Sequence, residues 1–187
     1  MGLDELRFGF LPVDKVAHGE LAGFSCGSSS LDGFLQDFAR EYHENRFAFT
    51  SVVFHEDVAG PAGYFTLAND AIPLNDSEVF DLGYSAEIRL ASFPAVRICR
   101  LAVREDLQGA GTGAAILRIV FGAVLGGVEI SAARLVTVDA KNDERVTRFY
   151  GRNGFERSLW AEKQAGHNRR KNIRPETVKM ICDILKR

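Results

Sequence analysis

Long apolar runs are missing from this 187-residue sequence: nothing in it approaches the roughly 18 residues that a membrane-crossing helix needs. Cysteine is scarce. The three thiols, Cys26, Cys99 and Cys182, are odd in number and far apart, and the lack of any CxxC pair argues against a disulfide framework, a structural zinc or a thioredoxin-like centre. The four histidines show no HExxH-type spacing, so no metal site is expected. Charge of one sign is lacking too. With 23 Lys and Arg against 25 Asp and Glu, the net charge is −2 and no overall basic field points to nucleic acid. Proline (5) and glycine (18) are too few for a collagen-like or a Gly/Pro-rich disordered chain. The opening stretch MGLDELRFGFLPVDK holds acids and only a short apolar run, and does not read as a secretory signal. What remains is an ordinary composition, 46% hydrophobic and 26% charged. Its length suits one α/β domain over residues 1–187, with its thiols reduced in the cytoplasm.

Periodicity supplies the elements. From Ser30, the residues Leu31, Phe34, Leu35, Phe38, Ala39 and Tyr42 fall on one face of an amphipathic helix, with Ser28 to Ser30 available as N-cap. Two strands are expected at Thr50–Phe54 and Ala62–Leu67, joined by the turn-like EDVAGP. Residues 69–94 lack a clean period and carry Asp76, Glu78, Asp81 and Glu87 against Arg89 after residue 73, which reads as an acidic surface excursion with room for a short helix. Then come a strand (Ala95–Val103), a helix apolar on nearly every side (Ala114–Leu125), a buried strand (Arg134–Ala140) and a short helix (Asp143–Arg152) stopped by Asn153 and Gly154. Phe155–Trp160 and Thr177–Leu185 read as closing strands, with Glu162–Arg174 as the loop between them.

Between the Ala95–Val103 strand and the helix lies Gln108-Gly109-Ala110-Gly111-Thr112-Gly113. Glycines at alternate positions let a backbone turn tightly and approach a ligand, and the helix that follows offers free N–H groups and the positive end of its dipole to a phosphate. A Walker A loop would need Lys-Ser/Thr where Ala114-Ala115 stands, and a Rossmann fingerprint would need GxGxxG near the start of a βαβ unit. Neither fits.

Arg100-Leu101-Ala102-Val103, the glycine turn, and Phe149-Tyr150-Gly151-Arg152-Asn153-Gly154-Phe155 together resemble the core of the GNAT superfamily of acetyl-CoA-dependent N-acetyltransferases. The resemblance implies a GNAT-type fold: a mixed, centrally splayed β-sheet flanked by helices. It implies acetyl-CoA as co-substrate, its pyrophosphate on the amides of Gln108, Gly109, Ala110, Gly111, Thr112 and Gly113. Its pantetheine arm would pair with the strand through Leu101, Ala102 and Val103. Asp143 stands seven residues before the motif tyrosine, where the family often has Asn, and would make a secondary cofactor contact. Transfer to an amine needs a stabilised oxyanion, which an N–H of the Leu101–Arg104 stretch could serve, and an acid for the leaving thiolate, the implied role of Tyr150. A phenol near ~10 and a thiol near ~8.5 can share a proton.

A second resemblance reaches into the first half. Phe24-Ser25-Cys26-Gly27, Leu31-Asp32-Gly33-Phe34-Leu35 and Gly63-Tyr64-Phe65-Thr66-Leu67 are similar to patterns of the GNAT toxins of bacterial toxin–antitoxin pairs, which acetylate the α-amine of aminoacyl-tRNA. Read as residues alone, the same positions are equally a helix entry and its core face. Glu162–Arg174 carries five cations against one acid, and Arg169, Arg170 and Lys171 are the residues expected to meet acceptor phosphates, although a solvated loop or a grip on the 3′-phosphate of coenzyme A fits that segment too. No general base can be assigned among Asp70, Asp76, Glu78 and Glu87. That favours an α-amine acceptor, pKa ~7.7–8, over lysine near ~10.4. The toxin reading implies aminoacyl-tRNA and a small antitoxin as partners and leaves a homodimer open. A small-amine, antibiotic or protein N-acetyltransferase stands beside it, as does a non-catalytic acetyl-CoA-binding module.

Overall fold

A computed structural model describes residues 3, 4, 7–83, 90–126, 131–168 and 175–186. Its seven strands are β1 (Phe8–Pro12), β2 (Phe49–His55), β3 (Val58–Ile72), β4 (Phe93–Val103), β5 (Leu135–Lys141), β6 (Glu156–Arg157) and β7 (Thr177–Asp183). They form one mixed sheet in the order β1-β2-β3-β4-β5-β7-β6, the α/β class that the sequence implied. The chain divides into two compact units, Met1–Ala68 with Ile98–Ala123 and Asn69–Arg97 with Val124–Arg187.

In the first unit β1, β2 and β3 pair antiparallel. The β2–β3 turn is only Glu56-Asp57, because Val58 already pairs with His55; EDVAGP is mostly strand. Thr50 and Thr66 sit opposite each other, fully buried, and satisfy one another through their hydroxyls at 2.9 Å. A buried polar pair of this kind fixes register, since a one-residue slip would orphan both. The core packs Leu21 and Phe24 against Phe34, Leu35, Ala39, Val52, Tyr64 and Ala102.

The expected helix over Leu31–Tyr42 is present with an interruption. α1 (His18–Ala22) precedes it, and α2 (Ser29–Gly33) and α3 (Ala39–Glu44) are joined by a π-helical turn over Phe34–Phe38. Ser28 is the N-cap by position, without a side-chain capping bond. In the π turn the Ala39 N–H reaches back five residues to the Phe34 carbonyl. The extra residue slips the helical face, so Phe34, Leu35 and Ala39 are buried while Phe38 and Tyr42 are 52% and 40% exposed. An apolar stripe drawn at 3.6 residues per turn cannot show that slip.

Gly63 on β3 has a reason that only packing reveals. A Cβ there would stand 2.5 Å from the Ala102 carbonyl oxygen and 2.6 Å from Ile116 Cδ1, and one of the two is backbone. Gly63→Ala is therefore expected to cost about 1–3 kcal/mol of stability and to lower the melting temperature by about 2–12 °C. An unchanged melting curve would show that β3 and β4 can part without penalty.

In the second unit β5 and β7 pair antiparallel from Leu135↔Asp183 to Lys141↔Thr177, and β6 adds two residues to the far edge. Ile72, Leu82, Phe93, Ala95 and Leu135 form its core. The segment read as irregular is partly regular: β3 continues to Ile72 and α4 spans Asp76–Asp81. A capping box starts α4, with Asn75 accepting the Glu78 N–H at 2.9 Å and Glu78 accepting the Asn75 N–H at 2.8 Å. The strand expected over Phe155–Trp160 is only Glu156–Arg157, because α7 (Leu159–Asn168) begins there and occupies most of what read as a loop. The Glu78 carboxylate, 81 residues upstream, also accepts the Leu159 and Trp160 N–H groups at 2.7 and 3.2 Å and caps α7 from outside. Among the described residues no helix is long and apolar enough to cross a membrane.

Candidate active site

The glycine turn belongs to the first unit. β4 ends at Val103, and the Arg104 N–H is spent on the Ala62 carbonyl (2.9 Å), which takes Arg104 out of the stretch that could serve an oxyanion. The Arg104 side chain pins the connection, forking onto Asp106 at 2.7 and 2.9 Å and donating to the Ala59 carbonyl at 2.7 Å. Gln108 then acts through its side chain. Its amide donates to the carbonyls of Val103 (3.0 Å) and Cys26 (2.8 Å), while the Glu105 N–H donates to the Ser25 carbonyl (3.0 Å). Asp32 holds the other side of that loop, accepting the Cys26 N–H at 2.8 Å and the Ser25 hydroxyl at 3.2 Å. The Phe24–Gly27 and Leu31–Leu35 motifs are therefore a scaffold bonded to the glycine turn as well as a core face. Tyr64 of the third motif donates its hydroxyl to the Leu31 carbonyl at 2.8 Å, and burial pushes its pKa up.

Gly109 and Gly111 have φ of +78° and +91°, backbone that only glycine adopts without strain. Unlike Gly63, neither has any atom within 4 Å of where a Cβ would stand, so the outer side of the turn is open. α5 (Thr112–Leu125) follows. The Ala114 and Ala115 N–H groups return to the Gly111 carbonyl at 3.0 and 3.1 Å, and those ahead of them have no intrahelical acceptor. Thr112 is 2% exposed, and its hydroxyl is buried without a hydrogen-bond partner among the described residues. Left-handed glycines, an open approach, the positive end of a 14-residue helix and an orphaned hydroxyl together suit a pyrophosphate-bearing ligand.

Tyr150 lies in the second unit on α6 (Glu144–Arg152). Asp143 caps that helix, accepting the Arg145 and Val146 N–H groups at 2.9 and 3.3 Å, so its carboxylate already has a structural task. The end of α6 is fixed by Asn153, whose amide donates to the Phe149 carbonyl at 2.8 Å, and by the Phe155 N–H donating to the Tyr150 carbonyl at 3.1 Å. The Tyr150 ring is 7% exposed, with Phe149 and Phe155 edge-on at 5.1 and 5.2 Å. Its hydroxyl has no hydrogen-bond partner among the described residues, and burial pushes its pKa up to about 12. Burial keeps the phenol in its protonated, hydrogen-bond-donor form.

The acids whose place the sequence left open now have one. Asp70 is desolvated, which raises its pKa, but the Thr137 hydroxyl (2.6 Å), Arg97 (3.3 Å) and Lys179 (3.8 Å) outweigh that and hold it below the usual carboxylate range. Glu78 spends both oxygens on backbone N–H groups. Neither is poised as a general base. Asp76 is exposed at the start of α4, while Glu87, Arg169, Arg170 and Lys171 lie outside the described residues. Among the described residues no cluster of His, Cys, Asp and Glu could hold a metal ion. Sequence reasoning missed the tethering amide of Gln108 and the double cap at Glu78. The Asn75-x-x-Glu78 spacing signals the α4 cap and Ser158 is the local N-cap signal of α7, but nothing local marks the reach of Glu78 to Leu159 and Trp160.

No family model matches the chain. Among solved structures it is similar to AtaT complexed with acetyl-methionyl-tRNAfMet, with TM-score 0.74, 19% identity and 96% of each chain covered. It is also similar to a tyrosine-to-phenylalanine mutant of KacT, with TM-score 0.72, 19% identity and 96% of each chain covered. A third is AtaTR bound with AcCoA, with TM-score 0.69 and 19% identity over 96% of this chain and 95% of that one. The fold of this chain is the fold of those toxins, the GNAT fold that its sequence motifs implied.

Proposed function

We propose that the chain, as a single domain over residues 1–187, is an acetyl-CoA-dependent N-acetyltransferase acting on the α-amine of aminoacyl-tRNA, the toxin of a toxin–antitoxin pair. The observation that carries this is the open, left-handed glycine turn at the start of α5, on the fold seen in AtaTR bound with AcCoA and AtaT complexed with acetyl-methionyl-tRNAfMet. Backbone N–H groups from Gly109 to Gly113 receive the pyrophosphate, and backbone groups of Leu101, Ala102 and Val103 receive the pantetheine arm. Gln108 serves by tying that turn to Val103 and Cys26, and Asp143 by capping the helix that carries Tyr150.

Acetyl-CoA supplies the thioester. The neutral amine attacks its carbonyl carbon, the C–N bond forms, the C–S bond breaks, the amine's surplus proton leaves to water, and the departing sulfur accepts a hydrogen bond from Tyr150. With Asp70 and Glu78 committed elsewhere, an α-amine of pKa ~7.7–8 fits, since a sizeable fraction is neutral without a base. Arg169, Arg170 and Lys171 meet tRNA phosphates, and a small antitoxin restrains the enzyme.

Labelled acetyl-CoA incubated separately with charged tRNA, small amines and peptides tests this. Label on charged tRNA, with growth arrest on expression without a partner, is the expected result. Label on small amines or peptides alone would make the chain a general N-acetyltransferase, and cofactor binding with no transfer at all would make it a non-catalytic module.

A further inference from the structure

Arg100, on β4, is partly buried and has no carboxylate and no hydrogen-bond acceptor among the described residues. Its guanidinium lies over the Phe34 ring at 3.6 Å from the centroid. Phe34 meets Tyr42 edge-on at 5.5 Å, and Tyr42 meets Phe47 edge-on at 6.0 Å. The series runs from a cation through a buried ring to two rings in solvent, Tyr42 at 40% and Phe47 at 70% exposure. Beside it Phe49 is 48% exposed, with the Arg46 guanidinium 5.9 Å from its centroid.

Two backbone irregularities maintain this surface. The π turn slips the helical face and leaves Tyr42 outside. Arg46, at φ of +59°, closes α3: its N–H donates to the His43 carbonyl at 3.1 Å and the Phe47 N–H to the Tyr42 carbonyl at 3.0 Å, a left-handed cap that turns Phe47 outward beside Tyr42. Rings of this size kept in water are unfavourable for the fold alone, and a ligand that covers them is the economical reason for them.

We propose that this surface binds the unpaired 3′ end of an RNA: Arg100 takes a backbone phosphate, and Tyr42 and Phe47 stack its terminal bases. An unpaired planar guanidinium suits a phosphate oxygen, exposed aromatic faces suit any nucleobase, and the two joined across the Phe34 ring are the chemistry of single-strand binding. The surface is not a polycation, because α3 also carries Glu41 and Glu44. Its salt dependence is accordingly that of about one phosphate. The proposal rests on the aminoacyl-tRNA reading and gives that acceptor's end a place on the first unit.

The test titrates a cytidine-cytidine-adenosine trinucleotide into the full chain saturated with acetyl-CoA, so that the cofactor site cannot capture the adenosine. Wild type should bind. Phe47→Ala should weaken binding by about 5- to 100-fold. Arg100→Met, which keeps apolar contact with Phe34, should weaken it by about tenfold or more and lower the log–log salt slope by about 0.7. Arg100→Lys should recover the slope but not the full affinity. A melting-temperature shift with acetyl-CoA equal to wild type confirms that each variant is folded. No trinucleotide binding by wild type, or variants that bind as wild type does, overturns the proposal. So do variants that leave binding intact but change the sedimentation coefficient, which would make this face a contact between copies. Trinucleotide binding without transfer to charged tRNA would sink the functional reading and leave this site standing; normal transfer to charged tRNA by Phe47→Ala and Arg100→Met would do the reverse.

Discussion

Tyr150→Phe should lower turnover by about 10²–10⁴-fold, the range for loss of a positioned proton donor, with little change in acetyl-CoA affinity or melting temperature. The substitution removes one oxygen that has no protein partner among the described residues and keeps the ring between Phe149 and Phe155, so the fold gives up nothing measurable. The pH profile separates this role from packing. Because burial raises the phenol to about 12, the donor form persists through alkaline pH and no loss from its ionisation should appear up to about pH 10. The acid limb should follow the acceptor α-amine near ~7.7–8, rising with pH as that amine becomes neutral. The raised pKa also has a stability sign. An unfolded tyrosine ionises near ~10, so the fold keeps this contribution below that pH and loses it as pH rises toward the folded value. Turnover within threefold of wild type, with an unshifted profile, would leave Tyr150 a packing residue.

Gly111→Val should abolish the thermal stabilisation by acetyl-CoA. Ligand at a hundred times its Kd adds about 2.7 kcal/mol to the folded state, which raises the melting temperature of a chain this size by about 5–11 °C. At φ of +91° a β-branched residue is excluded, and relaxing the backbone would re-aim the N–H groups at the start of α5. The apo protein should still fold, because nothing lies within 4 Å of the new Cβ and strain of about 1–3 kcal/mol is less than the usual net stability. A folded variant with an undiminished shift would place the cofactor elsewhere. Gly63→Ala is the opposite case: there the obstacle is the protein's own carbonyl and the Ile116 side chain, so stability falls even without ligand.

What the residues alone determined is whatever depends on local chemistry. The short strand-forming run Thr50–Phe54, alternation in Val178–Ile184, apolar saturation in Ala114–Leu125 and glycines at fixed intervals placed β2, β7, α5 and the turn to within a few residues, because local propensity, burial period and permitted φ are properties of single segments. The family motifs placed Tyr150 on its helix and implied the fold. What only tertiary structure decided depends on partners distant in sequence. Glu78 accepts the first free N–H groups of α7 across 81 residues, in a segment that read as strand and loop. The π turn withdrew Phe38 and Tyr42 from a core face that the 3.6-residue period assigned to them. Gln108 proved to be a tether because the Cys26 carbonyl lies within 2.8 Å of its amide, and Tyr150 became a weaker acid than a free phenol because the fold takes its ring out of water. Hydrogen bonds and desolvation act through space, and sequence separation does not record those distances.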